Sequence, residues 1–292
     1  MTHHAGVLDA IERTLGVRPA SVTPLAGGCI AEVWRAQMPD GRSLAVKHDP
    51  GPTPKLDIES AMLAAIRERT AMPVPKVVAS TPAVLAMAYV EHDGRKSAEG
   101  ERDAGAQLAR MHEDARADRF GFERDTVIGP LDQPNPWTGS WADFWRDQRL
   151  IPMGEGARRA GGLDGRTLDR VRALGDRLGD LLGGVPGEGG EPSLIHGDLW
   201  SGNWLWHRGR LAAVIDPAVY YAHAEAELAF IDWMGGMSGA FWEGYSGVRP
   251  IDDAFWSVRR HVYVLYPMLV HARLFGGGYG RSVSATLDRL GV

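Results

Sequence analysis

The stretch that decides the fold runs Leu194-Ile195-His196-Gly197-Asp198-Leu199-Trp200-Ser201-Gly202-Asn203. It places an Asp two residues after a His, and an Asn five residues after that Asp. A short apolar run, Ala212-Ala213-Val214-Ile215, then leads into Asp216, which lies thirteen residues after Asn203. A carboxylate, an amide and a second carboxylate at this spacing are typical of loops that catalyse phosphoryl transfer.

The chemistry explains why these residue types recur at this spacing. Phosphoryl transfer needs positioning and charge neutralisation rather than covalent help from the protein. Asp198 is predicted to be the catalytic base, which accepts the proton of the attacking hydroxyl or orients that hydroxyl. Asn203 and Asp216 offer the hard oxygen ligands that Mg²⁺ prefers, so we predict a magnesium site there.

Two other interpretations of this stretch remain open. Asp and Asn are common in turns, so His196 and Asp198 alone would also suit a turn cap. The second interpretation is a zinc site formed by His196, Asp198 and His207. Zinc prefers closely spaced His and Cys ligands, however, and the single cysteine, Cys29, lies far upstream. The full loop combined with Asp216 favours phosphoryl transfer over both.

A nucleotide site in the first third of the chain would complete this chemistry. Lys47 follows the apolar run Ser43–Val46, and Glu59 comes twelve residues later in a stretch with helical periodicity. Glu59 shares one helix edge with Leu63 and Ile66, so it is expected to face inward. A Lys–Glu pair of this kind aims an ammonium at the α- and β-phosphates, and we therefore predict that the protein binds ATP.

Two further segments are predicted to contact ATP. Gly27-Gly28-Cys29-Ile30 lies between two predicted strands, where glycines let backbone N–H groups approach a phosphate. Gly27-Gly28 matches no established phosphate-loop motif. Its position ahead of Lys47 is the reason that we predict a phosphate-binding loop there. Met87-Ala88-Tyr89-Val90 is the predicted hinge whose backbone meets the adenine.

The distribution of elements predicts an α+β fold with two lobes. Short β-type runs dominate the first part, and Pro39-Asp40-Gly41-Arg42 is typical of a hairpin turn. After Val90 the chain becomes polar and then mainly helical, with a long, apolar helical stretch predicted over 253–275. We expect a small antiparallel-sheet N-lobe over 1–90 and a larger, mainly helical C-lobe over 91–292.

Composition excludes several classes of protein. The 292 residues contain 44% hydrophobic residues and one cysteine, so the chain is neither disordered nor a disulfide scaffold. A net charge of −5 gives no basic surplus for nucleic acid. We find no apolar run long enough to span a membrane and no secretory signal, and we expect a cytoplasmic protein with neither a nucleic-acid nor a membrane partner.

Segments along nearly the whole chain resemble the fructosamine/ketosamine-3-kinase family, within the aminoglycoside-phosphotransferase and choline-kinase branch of the protein-kinase-like fold. The Leu-Trp-Ser-Gly that follows Asp198 is similar to this family in particular. Other similar segments are Gly27–Ile30, Leu108–His112, Phe120–Phe122, Asn135–Trp137, Trp141–Trp145, Ile215–Tyr221 and Phe275–Tyr279.

The resemblance implies ATP-dependent phosphorylation of the third hydroxyl of a ketosamine, such as a fructosamine or ribulosamine on a small amine or a protein. The unstable product would then fall off, which is a deglycation or repair role. It also implies Asp198 as base, Asn203 and Asp216 as metal ligands, and Lys47 with Glu59 as the phosphate-positioning pair. Trp200, beside the base, is a predicted platform for the sugar ring.

One segment departs from the family pattern. After Tyr221 the family has Gly-Asp-Arg-Glu and then Asp-Leu-Ala, whereas this chain has Ala222-His223-Ala224-Glu225 and then Glu227-Leu228-Ala229. If that loop contacts the substrate or supports the metal strand, the preferred sugar is expected to differ. His271 and Tyr263 are predicted to serve packing rather than catalysis.

Two alternative functions and one regulatory hypothesis remain. A small-molecule kinase acting on an aminoglycoside or choline would need a strongly acidic acceptor pocket, because those substrates are cations. A catalytically silent nucleotide-binding module would not need all of the predicted catalytic residues. The unpaired thiol of Cys29, in the predicted phosphate loop, suggests a redox-linked dimer that would restrict ATP binding.

Overall fold

The computed structural model describes residues 2–25, 31–182 and 191–292. Its first part is a five-stranded antiparallel sheet with the strand order β1-β2-β3-β5-β4. The strands are β1 (Ser21–Pro24), β2 (Glu32–Gln37), β3 (Ser43–His48), β4 (Val77–Thr81) and β5 (Val84–Ala88). The hairpin predicted at 39–42 joins β2 to β3. Gly41 has a φ of +86° there, a backbone conformation that residues with a side chain rarely adopt.

Side chains alternate between the two faces of this sheet, and both faces are buried. Trp34 and Val46 lie on one face and pack under helix α1 (Thr2–Leu15), together with Ile11 of that helix. Leu85 and Met87 lie on the other face and pack against helix α2 (Leu56–Arg69). The period of two along a strand therefore places one helix on each side of the sheet.

Helix α2 connects the sheet to the rest of the molecule. Its Met62 and Ile66 belong to the large core formed with the later helices. At its C-terminus Arg69 donates through Nη2 to Glu123 (2.5 Å) and through Nη1 to the hydroxyl of Tyr221 (3.2 Å). Since α2 also carries Glu59, these contacts hold that carboxylate against the catalytic segment.

The second part is mainly helical and, in its described residues, contains two short hairpins and one antiparallel pair of strands that are distant in sequence. Its helices are α3 (Ala98–Asp114), α4 (Trp141–Phe144), α5 (Ile151–Arg159), α6 (Gly165–Gly175), α7 (Leu178–Leu182), α8 (Glu225–Met234), α9 (Gly239–Ser246), α10 (Arg260–Tyr263), α11 (Leu265–Phe275) and α12 (Tyr279–Arg289), with π-helical turns at Trp145–Leu150 and Phe255–Arg259. The paired strands are β6 (Thr126–Ile128) with β7 (Leu131–Gln133), β8 (Ser193–Ile195) with β11 (Tyr220–Ala222), and β9 (Trp204–His207) with β10 (Arg210–Val214).

The helical stretch predicted over 253–275 is confirmed, but a π-helical turn at Phe255–Arg259 and a turn at Val264 divide it, so that α10 and α11 are separate helices. Pro267 explains the new start at Leu265, because proline is tolerated in the first turn of a helix and not in its interior. Trp141 and Trp145 are fully buried in the large core. In the part of the chain that the structure describes, no helix has the length and apolar character needed to cross a bilayer.

Candidate active site

Backbone hydrogen bonds align the decisive stretch with the strand that leads to Asp216. After β8, the carbonyl of His196 accepts from the N–H of Ala218 (2.7 Å). The turn Ser201–Asn203 is a 3₁₀ helix, and the carbonyl of Asn203 accepts from the N–H of Ile215 (3.0 Å). Asp198, Asn203 and Asp216 are thus held on adjacent backbone segments.

Two backbone conformations at this site are unusual. Gly197 has a φ of +84°, and a Cβ there would lie 2.3 Å from the carbonyl oxygen of Ala218. Only glycine fits that approach. Asp216 has a φ of +58°, a left-handed conformation that is uncommon for residues other than glycine. Strained backbone of this kind concentrates at functional sites.

Asp198 and Asn203 are in direct contact. The Nδ2 of Asn203 donates to the carbonyl oxygen of Asp198 (2.7 Å) and to its Oδ2 (3.2 Å). Burial raises the pKa of Asp198 well above its usual range, and the nearby carboxylate of Asp216 adds to the rise. A carboxylate with a raised pKa is a stronger proton acceptor near neutral pH, which suits a general base.

Lys47 joins the sheet to the catalytic segment. Its Nζ donates to Glu59 Oε1 (2.7 Å) and to Asp216 Oδ1 (2.6 Å). Burial opposes the charge on Lys47, but the carboxylates of Glu59 and Asp216 outweigh it and raise the pKa. The side chain therefore stays an ammonium at the floor of the cleft, and Glu59 faces inward on α2.

The donor set at this floor fits a magnesium ion. Because Asn203 uses its Nδ2 on Asp198, its Oδ1 remains as an acceptor for a cation. Asp216 gives one oxygen to Lys47 and keeps the other. Two oxygen donors with the remaining positions left to water and phosphate suit Mg²⁺. Among the described residues, no group of three or more His, Cys, Asp and Glu could hold a metal, which disfavours the zinc interpretation of His196, Asp198 and His207.

A cleft of about 1420 Å³ contains all of these groups. Its nucleotide end is lined by Val33 and Ala45 of the sheet, by the predicted hinge Met87–Val90 and by Ile215. Tyr89 donates its N–H to the carbonyl of Ser43 (3.1 Å), which ties the hinge to β3. The remaining predicted ATP contacts, Gly27, Gly28, Cys29 and Ile30, lie outside the described residues.

The acceptor end of the cleft extends past Asp198. Trp200 lines it, is 38% exposed and rests on Gly202, where a Cβ would lie 2.3 Å from the indole ring. Phe230 and Met234 of α8 and one face of α11 form the walls. His271, predicted to serve packing, is among the lining residues, whereas Tyr263 is fully buried away from the cleft.

A buried carboxylate outside the catalytic motif, Glu227, supports the catalytic loop on its buried side. Glu227 accepts through Oε2 from the N–H of His196 (3.2 Å) and through Oε1 from that of Gly197 (2.7 Å). Its Oε2 also contacts Nε2 of His112 (2.9 Å), whose Nδ1 contacts the hydroxyl of Tyr245 (2.8 Å). Burial alone would raise the pKa of Glu227, but these donors outweigh it and lower the pKa, so the carboxylate stays charged.

The rest of the segment that departs from the family pattern points away from the cleft. His223 is buried, with Nδ1 beside the hydroxyl of Tyr263 (3.0 Å). Glu225 accepts from Arg259 at both carboxylate oxygens (2.6 Å each). These contacts attach α8 to the C-terminal helices. An effect of the segment on the preferred sugar stays a prediction.

Fold and site together define the class of protein as a phosphotransferase. Residues 6–291 match the sequence pattern of the fructosamine kinase family. A chloroplastic protein-ribulosamine 3-kinase from Oryza sativa subsp. japonica is 33% identical over 274 residues, covering 91% of this chain and 78% of that protein. A Synechocystis protein assigned as a ketoamine kinase is 37% identical over 188 residues, covering 63% of this chain and 60% of that protein.

The structural comparison agrees. A crystal structure from Thermobifida fusca YX-ER1, assigned as a fructosamine-3-kinase, superposes with a TM-score of 0.86 at 31% identity and covers 97% of both chains. The chain belongs to the fructosamine kinase family. The predicted α+β, protein-kinase-like fold is confirmed. The division into lobes at residue 90 stays a prediction.

Proposed function

We propose that this protein is an ATP-dependent, magnesium-requiring kinase that phosphorylates the third hydroxyl of a ketosamine and so acts in deglycation. The contact between Lys47 and Asp216 carries the proposal. The two residues are 169 positions apart, yet their side chains meet at 2.6 Å on the floor of one cleft. A sheet lysine, a helix carboxylate and a metal-type carboxylate in contact form the arrangement that phosphoryl transfer uses.

Asp198 acts on the acceptor. Its carboxylate takes the proton of the sugar hydroxyl as that oxygen attacks, and the raised pKa favours this transfer. Asn203 holds the carboxylate in place through Nδ2, and Glu227 holds the backbone just before it, at the N–H groups of His196 and Gly197. Trp200 offers an exposed ring beside the base, on which the sugar stacks.

Lys47, Asn203 and Asp216 act on the phosphate side. The ammonium of Lys47 neutralises charge on the α- and β-phosphates, and Glu59 keeps it aimed there. Asn203 Oδ1 and the second oxygen of Asp216 would hold Mg²⁺. When bound, the ion neutralises negative charge on the phosphates and orients them. Transfer therefore rests on positioning and electrostatics in a site that is largely formed in advance.

The alternative functions find less support in the acceptor end. An aminoglycoside or choline kinase would need carboxylates there to bind a cation. Among the described residues, the lining from Phe230 to Tyr279 contains no charged side chain. A silent nucleotide-binding module would have no use for a base held in place by both Asn203 and Glu227.

An ATP-consumption screen tests the proposal. The purified protein would be assayed with glycated amines, free ketoses and aminoglycosides, with the Asp198→Asn variant as the matched control. We expect turnover of ketosamines alone, and phosphorus–carbon coupling in the product should locate the phosphate on the third carbon. Turnover of aminoglycosides but not ketosamines would overturn the proposal.

The redox hypothesis and the cytoplasmic location both stay predictions. If the thiol of Cys29 links two chains, oxidation should give a reducible dimer on a gel and lower the affinity for ATP. The Cys29→Ser variant would remain a monomer and keep its activity under peroxide. Activity of the wild-type protein that does not respond to peroxide would reject the switch.

A further inference from the structure

The acceptor end of the cleft is longer than a sugar requires. Six residues on one face of α11 line it: Tyr266, Pro267, Val270, His271, Leu274 and Phe275. At 1.5 Å per residue, this face runs about 14 Å from Tyr266 to Phe275. Tyr266 is 5% exposed and Phe275 is 59% exposed, so the face leads from the interior to the mouth of the cleft.

The proposed substrate occupies only the inner part of that length. Three bonds of about 1.5 Å separate the third carbon of a ketosamine from its nitrogen, so the nitrogen lies only about 4 Å from the reacting carbon. With the third hydroxyl at Asp198, the outer part of the groove lies beyond the reach of the sugar and is available to the group attached to the nitrogen.

The outer part is a cluster of rings and apolar side chains, which we call the carrier shelf: Met234, His271, Leu274, Phe275 and Tyr279. The ring centroids of His271 and Tyr279 are 5.0 Å apart, and those of His271 and Phe275 are 5.6 Å apart. Trp233 supports the shelf, edge to face with His271 at 5.1 Å.

The carrier shelf bears no charge. Burial lowers the pKa of His271 and outweighs the opposite effect of the hydrogen bond that Nδ1 donates to the carbonyl of Pro267 (2.8 Å), so the neutral ring is favoured. The other four members are uncharged residue types. The contrast with the inner end is sharp, because the catalytic floor carries Lys47, Glu59, Asp198 and Asp216 in one cluster.

Exposure separates the shelf from ordinary core. Among the described residues, five large hydrophobic side chains are exposed, and two of them, Trp200 and Phe275, line this cleft. Exposed rings in a groove that continues an active site mark a surface that a ligand covers. Trp200 lies beside the catalytic base, and Phe275 lies at the mouth.

We propose that the carrier shelf binds an apolar group on the ketosamine nitrogen, an alkyl chain or an aromatic ring, and that it sets the preference of the enzyme among glycated amines. This inference rests on the proposed function and adds the class of amine to it. Burial of apolar surface against Phe275 and Tyr279 supplies the affinity.

The test compares ketosamines that share one sugar and differ in the amine that carries it. Ketosamines made from benzylamine, hexylamine and ethanolamine would be assayed with the wild-type protein and with the Phe275→Ser and Phe275→Leu variants. Because Phe275 is exposed, neither substitution should disturb folding. Val78→Ser is the matched control, because Val78 is an exposed apolar residue of β4 that lies outside the cleft.

We expect kcat/KM to be highest for the benzylamine and hexylamine derivatives. In Phe275→Ser, kcat/KM for these two should fall about tenfold through KM, with kcat unchanged. Phe275→Leu and Val78→Ser should keep the wild-type preference, and the ethanolamine derivative should respond to none of the variants.

Each other outcome is decisive. Equal kcat/KM for all three carriers in the wild-type protein, or an equal loss for all three in Phe275→Ser, would overturn the carrier shelf and leave the kinase intact. Failure to phosphorylate any ketosamine would instead overturn the proposed function, and the shelf with it.

Discussion

The two ends of the cleft are built on opposite principles. At the inner end, charged and amide side chains from distant segments are tied together by short hydrogen bonds, as for Lys47 with Glu59 and Asp216. At the outer end, neutral side chains of α8, α11 and α12 form a wall without charges. In the proposed function, the inner end would orient phosphates and a hydroxyl, which demands fixed geometry, while the outer end would offer apolar area, which tolerates varied partners.

This contrast predicts that substitutions at the inner end act on rate and those at the outer end on substrate choice. The largest effect is expected for Asp198→Asn, which keeps the shape and removes the base. Transfer should slow by about 10³-fold, while the affinity for ATP stays nearly unchanged. Single-turnover kinetics with calorimetric nucleotide binding would measure both, and turnover like that of the wild type would contradict the assignment.

Asp216→Ala should act on the nucleotide. Loss of this carboxylate removes a metal ligand and one partner of Lys47, so Mg²⁺ should no longer strengthen nucleotide binding. We expect at least about a tenfold loss of affinity, because hydrogen bonds to charged groups contribute roughly 1.5–3 kcal/mol. Asp49→Ala, on the same cleft wall, is the control. Nucleotide titrations with and without Mg²⁺ would decide, and unchanged affinity in Asp216→Ala would remove this residue from the site.

Glu227→Gln tests whether the inner end depends on support from below. The amide would place a donor against the N–H groups of His196 or Gly197, which leaves buried groups unpaired. The free energy of unfolding should fall by about 2 kcal/mol, and kcat should fall more than the affinity for ATP. Glu243→Gln removes an exposed carboxylate paired with Arg102 and should change neither quantity. Denaturant unfolding and steady-state kinetics would measure the two effects. A loss of stability with unchanged kcat would show that Glu227 has a purely structural role.

The effect that is smallest at neutral pH, because it appears only in acid, concerns His223, which lies away from the cleft. Burial, together with the charges of Arg249 and Arg259, lowers the pKa of His223 to about 3. The unfolded chain therefore binds a proton that the folded one refuses between about pH 6.5 and 3, and stability falls as the pH drops through that window. This group contributes about 1.4 kcal/mol per pH unit there.

His223→Gln should flatten that part of the acid limb, whereas His92→Gln, at an exposed position, should leave it unchanged. Thermal unfolding between pH 7.5 and 5 measures the difference. An identical acid limb in wild type and His223→Gln would show that the buried imidazole does not control it.

The sequence predicted most of the catalytic side chains at the inner end, but not the buried residues that hold them in place. The spacing around Asp198, Asn203 and Asp216 and the order of Lys47 and Glu59 placed five side chains that the fold brings to one cleft. The sequence shows Glu227 only as part of the segment that departs from the family pattern, because nothing local indicates that it meets His112, 115 residues away. Only about half a turn of α8 separates Glu225 from Glu227. The sequence alone could not assign their different roles.

By itself, the sequence determined the chemistry of the inner end, because phosphoryl transfer imposes particular residue types at short, fixed spacings along the chain. It also determined the antiparallel sheet, since alternation and the turn at Gly41 are local signals. Only the tertiary structure decided that one face of α11 lines a groove. Apolar residues at helical spacing look the same in sequence whether they meet a neighbouring helix or a ligand, and the difference lies in what the fold places opposite them.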